Sequence, residues 1–146
     1  MLIGIDPILN ADLLHSLRAM GHGDTLVIAD GNFPATSVAR RLVNMEAADL
    51  RRTLKAVLSV LPIDEYGVDP VIGMEVVGHP TQNMPAHDII RSEVAAVNAT
   101  VTLKLVERYS FYEQAKEAFL VVATGERLLC GNVIIRKGII APDPAQ

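Results

Sequence analysis

The chain carries a single cysteine, Cys130, among its 146 residues, so no disulfide can form within it. A thiol left alone in this way fits a reducing, cytoplasmic setting. The N-terminal stretch lacks a basic segment followed by a long apolar core, so no secretory signal is expected. Apolar runs such as Thr25–Ala29 and Phe119–Ala123 are far too short to span a bilayer, so no membrane partner is expected. Lysines and arginines are outnumbered 13 to 17 by acids, the formal net charge is -4, and no basic run stands out. Nucleic acid is therefore not an expected partner. The four histidines, His15, His22, His79 and His87, have no C-x-x-C or H-E-x-x-H company, so no metal site is expected. Asp30-Gly31-Asn32 does not continue as a calcium loop. Gly21-His22-Gly23 precedes a strand pattern instead of following one, which removes the dinucleotide-binding reading. Internal repeats, linkers and low-complexity segments are absent.

The chain is rich in apolar residues. Half of it is hydrophobic and the mean hydropathy is +0.30. A small domain cannot hide all of that inside itself. A dense core and an apolar face covered by another subunit are both expected.

Asn10 is placed to cap a helix whose stripe is Leu13, Leu14, Leu17 and Met20, with Gly21 as its stop. Thr25–Ala29 reads as a buried strand. Leu50, Leu54, Val57, Leu58 and Leu61 recur at helical spacing before Pro62. Val71–Val77 reads as a strand, Gly78–Pro85 as a surface loop and His87–Ala99 as a helix. Val101–Val106 is strand-like, Phe111–Ala118 a short helix, and Phe119–Ala123 and Val133–Ile135 complete the strands. Alternation of this kind predicts a single α/β domain over residues 1–140, its largely parallel or mixed sheet flanked by helices. The proline-containing tail, 141–146, is expected to fray.

Three clusters carry candidate chemistry. The first is Met20-Gly21-His22-Gly23-Asp24 with Asp30-Gly31-Asn32-Phe33-Pro34. His22 sits in a backbone-permissive loop, and imidazole changes charge near neutral pH. A histidine there equally well serves only to cap the preceding helix. Asp30 ends a strand, where acids line the ligand crevice of open α/β sheets, or it merely nucleates an Asx-turn. Asp24 reads as a polar residue leading into the strand. The second cluster is Glu107-Arg108-Tyr109-Ser110-Phe111-Tyr112-Glu113. Arg108 closes a strand and Tyr112 opens a helix in this reading. Together they either supply donors to a polyhydroxylated ligand or form an ordinary boundary, with Arg108 and Glu113 as a surface ion pair. The third is Thr124-Gly125-Glu126 with Cys130-Gly131-Asn132, a turn region carrying an amide able to bind hydroxyls. Cys130 in isolation reads as a small buried hydrophobe. Physics alone points to a small polar ligand.

Taken with Leu61-Pro62-Ile63-Asp64-x-Tyr66, Thr124-Gly125-Glu126-Arg127 and Gly131-Asn132-x-Ile134-Ile135-x-Lys137-Gly138, these clusters resemble the fucose mutarotase branch of the RbsD/FucU family, in the family's order and from about Leu13 to Gly138. The resemblance implies an α/β isomerase of free sugars, L-fucose in this branch. It implies homo-oligomers, decameric rings among them, with sites built near subunit interfaces. It matches His22 to the family's proton-transferring histidine, Asp30 and Asp64 to acids of the site, Arg108 and Tyr112 to sugar-contacting positions, and Asn132 to the site asparagine. The family's Tyr-Gly-Asn reads Cys130-Gly131-Asn132 here, so a shorter, weaker donor replaces a phenol.

Mutarotation passes through the open-chain aldehyde. The anomeric hydroxyl loses a proton and the ring oxygen gains one, which is general acid–base catalysis and needs no cofactor. On this reading His22, Asp30 and Tyr112 are catalytic, and Asp64, Arg108, Cys130 and Asn132 hold the monosaccharide. The alternative is a sugar-binding module without turnover, accessory to transport.

Overall fold

The computed structural model describes residues 1–142; residues 143–146, most of the tail expected to fray, lie outside the described residues. Among the described residues there are five helices and six strands, mostly alternating. They are α1 (Ala11–Ala19), β1 (Thr25–Ala29), α2 (Ala35–Val38), β2 (Leu42–Met45), α3 (Leu50–Leu58), β3 (Val71–Met74), α4 (Pro85–Val97), β4 (Leu103–Val106), α5 (Arg108–Glu117), β5 (Leu120–Thr124) and β6 (Val133–Arg136). The strands form one mixed sheet in the order β2-β5-β1-β6-β3-β4. Neighbouring pairs are parallel except that β6 runs against both β1 and β3.

Both faces of the sheet are covered, which is why its central strands are apolar without alternation. On one face Leu26 and Ile28 of β1 join Val71 and Ile135, packed by Leu13 of α1, Leu54 of α3 and Ile90 of α4. On the other, Val27 and Ala29 of β1 join Ile72 and Ile134 beneath Phe111 and Ala115 of α5. The in-and-out assignment follows the two-residue period of the strand.

Local signals account for the helix ends. The Asn10 side chain accepts a hydrogen bond from Leu13 N–H at 2.9 Å and starts α1. That helix stops one residue before the expected glycine: Met20 is its buried C-cap, and the left-handed residue of the loop is Gly23, with φ +85°, not Gly21. Asp24 does more than lead into β1, since its carboxylate takes the Gly21 N–H at 2.7 Å and ties the loop shut. The strand expected to reach Val77 ends at Met74, because Val76 and His79 close a turn there. Helix α5 starts earlier than expected. Glu107 caps it through the Tyr109 and Ser110 N–H groups, so Arg108 opens the helix instead of closing a strand. Glu113 pairs with Lys116, not with Arg108. Helix α2 and strand β2 add two elements that the periodicity did not show.

Candidate active site

The five strands that run in parallel end at one edge of the sheet, and β6, running against them, begins there. Loops after strand C-termini are the usual place for a ligand in α/β sheets. Here they carry Asp30 after β1, the Glu75–Val77 turn after β3, Arg108 after β4 and Asn132 just before β6. They surround a cavity of about 300 Å³ whose lining includes Asp30, Asn32, Arg108, Tyr112, Cys130 and Asn132. Five of the seven residues singled out in the sequence therefore share one wall.

Asp30 is the best-held group. It is buried, and its Oδ2 accepts from Asn132 Nδ2 at 2.8 Å and Gly131 N–H at 3.2 Å. Its Oδ1 accepts from Asn32 N–H at 2.9 Å, the Asx-turn foreseen from Gly31. Burial pushes its carboxyl above the ordinary aspartate value, and the hydrogen bonds from Asn32, Asn132 and Gly131 offset that only in part. A carboxyl shifted this way gains or loses a proton closer to neutrality.

Arg108 and Tyr112 are four residues apart on α5 and so share a face of it. The Arg108 guanidinium lies over the Tyr109 ring, 4.6 Å from its centroid, and donates to the Tyr109 hydroxyl at 2.9 Å. Its Nε is buried and has no hydrogen-bond partner among the described residues. A buried donor without a partner is costly, and a sugar hydroxyl beside it would satisfy it. Tyr112 packs edge-on against Phe33 at 5.4 Å between ring centroids, which fixes the ring plane. Cys130 stands in a left-handed conformation, φ +60°, with its thiol 3.8 Å from the Glu75 carbonyl. Burial, with the nearby Asp30 charge, pushes that thiol up and keeps it protonated.

His22 and Asp64 are elsewhere. His22 precedes β1 while Asp30 follows it, so the five-residue strand separates them by roughly 15 Å. His22 Nε2 lies 3.3 Å from Asp64 Oδ1; the imidazole is half-exposed and the carboxylate buried. Within one chain the imidazole's partner is therefore Asp64, not Asp30. Burial alone would push the Asp64 carboxyl up. The Tyr66 N–H, His22 and the Arg136 charge overcome it and hold the group below its ordinary value. With Nε2 turned to a carboxylate, Nδ1 is the nitrogen left for another partner. Lys137 holds this loop: its ammonium takes the Leu17 and Met20 carbonyls at the end of α1, and its backbone pairs with Gly23 and Asp24.

Two residues named in the sequence have supporting roles that it did not suggest. His87, fully buried, accepts the Met84 N–H at Nδ1 and donates from Nε2 to the Met74 carbonyl, bracing two residues of the cavity wall. Its position three residues after the start of a helix was the available signal. Glu126, also buried, takes three backbone N–H groups, from Leu50, Arg127 and Leu128. Among the described residues, no three His, Cys, Asp or Glu side chains gather closely enough to hold a metal ion.

Residues 3–140 match the model of the RbsD / FucU transport protein family. The chain belongs to the RbsD/FucU family. Among its relatives is the human protein named fucose mutarotase, 40% identical over 150 residues, covering 97% of this chain and 96% of that one. The crystal structure of FucU from Bifidobacterium longum superposes with a TM-score of 0.89 at 39% identity, covering 94% of this chain and 99% of that one. The fucose mutarotase of Streptococcus pneumoniae, solved in complex with L-fucose, gives 0.90 at 32% identity, with 96% and 100% covered. The mixed-sheet α/β architecture is thus that of the RbsD/FucU family. No helix among the described residues is long and apolar enough to cross a membrane.

Proposed function

We propose that this protein is an isomerase that interconverts the anomers of L-fucose. One observation carries the reading. Asp30, Arg108, Tyr112 and Asn132, up to 102 residues apart, line one cavity in a chain that aligns almost end to end with proteins named fucose mutarotase. In this reading Asn132 and Arg108 orient hydroxyls, and preorganised positioning is what an already feasible reaction needs most. Asp30 or Tyr112 exchanges the anomeric proton. His22, through Nδ1, serves the ring oxygen while Asp64 steadies the imidazole.

In this proposal one chain does not hold a whole site. His22 stands at the opposite end of β1 from Asp30, and no rotamer bridges that span. His22 of a second copy completes the cavity in a homo-oligomer, which also covers exposed apolar side chains such as Tyr109. The cytoplasm, where free sugars and a lone thiol coexist, is the compartment we assign.

The test is NMR measurement of anomer exchange on free L-fucose at equilibrium. Exchange well above the buffer rate is the expected result. Sugar binding without faster exchange would instead establish a binding module accessory to transport.

A further inference from the structure

The lining of the cavity is of two kinds. Besides Asp30, Asn132 and Arg108 it includes the apolar Val76, Val77, Met84 and Leu129. Val77 and Leu129 are about three-fifths exposed, at 60% and 62%. The wall is built rather than loose. His87 holds the Met74 carbonyl at one end and the Met84 N–H at the other. Between them the Val76 carbonyl accepts from His79 N–H at 2.9 Å, closing a turn with Gly78 at φ +77°.

That architecture also engages several of the wall's backbone polar atoms. The Glu75 N–H donates to the Val106 carbonyl, and the Glu75 carbonyl takes the Cys130 thiol. The Val76 carbonyl and the Met84 N–H are engaged as described. A hydroxyl placed against these side chains meets methyl groups, and a buried hydroxyl without a partner is penalised.

A pyranose has one position at which such a difference matters. Its ring hydroxyls need donors and acceptors, while C5 carries a methyl in a 6-deoxyhexose, a hydroxymethyl in a hexose and only hydrogen in a pentose. We infer that the Val76–Val77–Met84–Leu129 wall is the specificity-determining surface of the site, seating the C6 methyl of a 6-deoxy sugar and rejecting the corresponding hexose and pentose. The inference rests on the reading of the cavity as the sugar site.

Three sugars isolate the contact. L-galactose is L-fucose with a hydroxyl added at C6, and D-arabinose is the same ring without C6. Anomer exchange is measured on each by NMR with the native protein, Val77→Thr and Val76→Thr. The native protein is expected to prefer L-fucose over both by about ten- to a hundred-fold in kcat/KM, the usual worth of one such group in an apolar pocket. Either threonine, isosteric with valine but carrying a hydroxyl, is expected to narrow the fucose-to-galactose ratio several-fold. Comparable rates on fucose and galactose with the native protein would overturn the inference. So would threonine variants that fold and leave the ratio where it was.

A second measurement does not need turnover. Saturation transferred from protein methyl groups to bound L-fucose is expected to fall most strongly on the C6 methyl. If saturation falls on the ring protons and spares the methyl, the wall is not its seat. Should no sugar exchange faster than in buffer, the mutarotase reading fails by itself, and the saturation pattern still decides the wall's role.

Discussion

Asp30 and Asn132 hold each other from both sides. The Asp30 N–H donates to Asn132 Oδ1 at 3.0 Å while Asn132 Nδ2 donates to Asp30 Oδ2 at 2.8 Å. The amide is thereby fixed in one orientation, and both residues line the cavity. Asn132→Ala strands a buried backbone N–H and removes a donor to a buried acid. It is expected to cost about 1–3 kcal/mol of stability, the usual penalty for such a group, and to weaken sugar binding as well. Denaturant unfolding and L-fucose titration of the same variant check both.

The raised carboxyl of Asp30 makes the rate depend on pH in a definite direction. A proton acceptor works only when ionised, so exchange falls as pH drops through the folded-state value of Asp30. Because burial sets that value above the ordinary 3.8, the acid limb of kcat/KM is expected to lie above it. In Asp30→Asn the residual rate should lack that limb. A native profile flat down to the ordinary aspartate value would assign proton transfer to another group.

Much of this was legible before any fold was known, and the exceptions have physical reasons. Asn10 announced α1, and the apolar runs announced β1 and β5, because capping and burial act locally. Strand β2 was hidden because Leu42-Val43-Asn44-Met45 is four residues long with a polar residue inside it. Arg108 looked like a strand end because its cap, Glu107, is not among the commonest capping residues. The most consequential fact was not readable at all. Val133–Arg136 would look the same whichever way it ran, yet its antiparallel course is what brings Asn132 beside Asp30. The strand between His22 and Asp30 was readable as Thr25–Ala29, but the pairing of His22 with Asp64, 42 residues away, was not.

The separation of His22 from Asp30 has a sharp consequence if two copies share a site. His22→Ala is expected to keep its fold, since the imidazole is half-exposed, and to lose exchange activity. Asp30→Asn is expected to be nearly inactive too. Mixing the two during refolding places an intact His22 opposite an intact Asp30 at about a quarter of interfaces in a randomly assorted assembly. Recovery of roughly that share of activity is the expected outcome. A mixture no more active than its components would confine each site to a single chain.

His87 links the cavity wall to folding stability. Burial holds the imidazole below its ordinary 6.5, although the Met74 carbonyl pulls the other way. Between the folded value and 6.5 the unfolded chain binds the extra proton and the folded one does not. Stability therefore rises with pH across that window, and it is lost as pH falls from 6.5 through the folded value. The midpoint of thermal unfolding is expected to drop between pH 7 and pH 5. In His87→Gln the drop should shrink, on top of a loss of about 1–3 kcal/mol at pH 7 from the disturbed bonds to Met74 and Met84. Parallel melting curves of both proteins at the two pH values measure it.

Cys130 stands where the family resemblance leads one to expect a tyrosine, and it lines the cavity with Asp30. The backbone there is already left-handed, at φ +60°, so a tyrosine meets the same backbone cost that the cysteine bears now. What changes is the side chain. The thiol is a weak donor that reaches only the Glu75 carbonyl at 3.8 Å, whereas a phenol carries a strong hydroxyl. One added hydrogen bond to a ligand is worth about 0.5–1.5 kcal/mol, or about a two- to ten-fold gain in affinity. Cys130→Tyr is expected to tighten L-fucose binding by that much, or to speed exchange comparably. Titration and exchange rates on both proteins settle the matter. A folded variant in which neither quantity moves would show that the side chain at this position stays clear of the sugar, leaving Asp30, Asn132 and Arg108 to hold it alone.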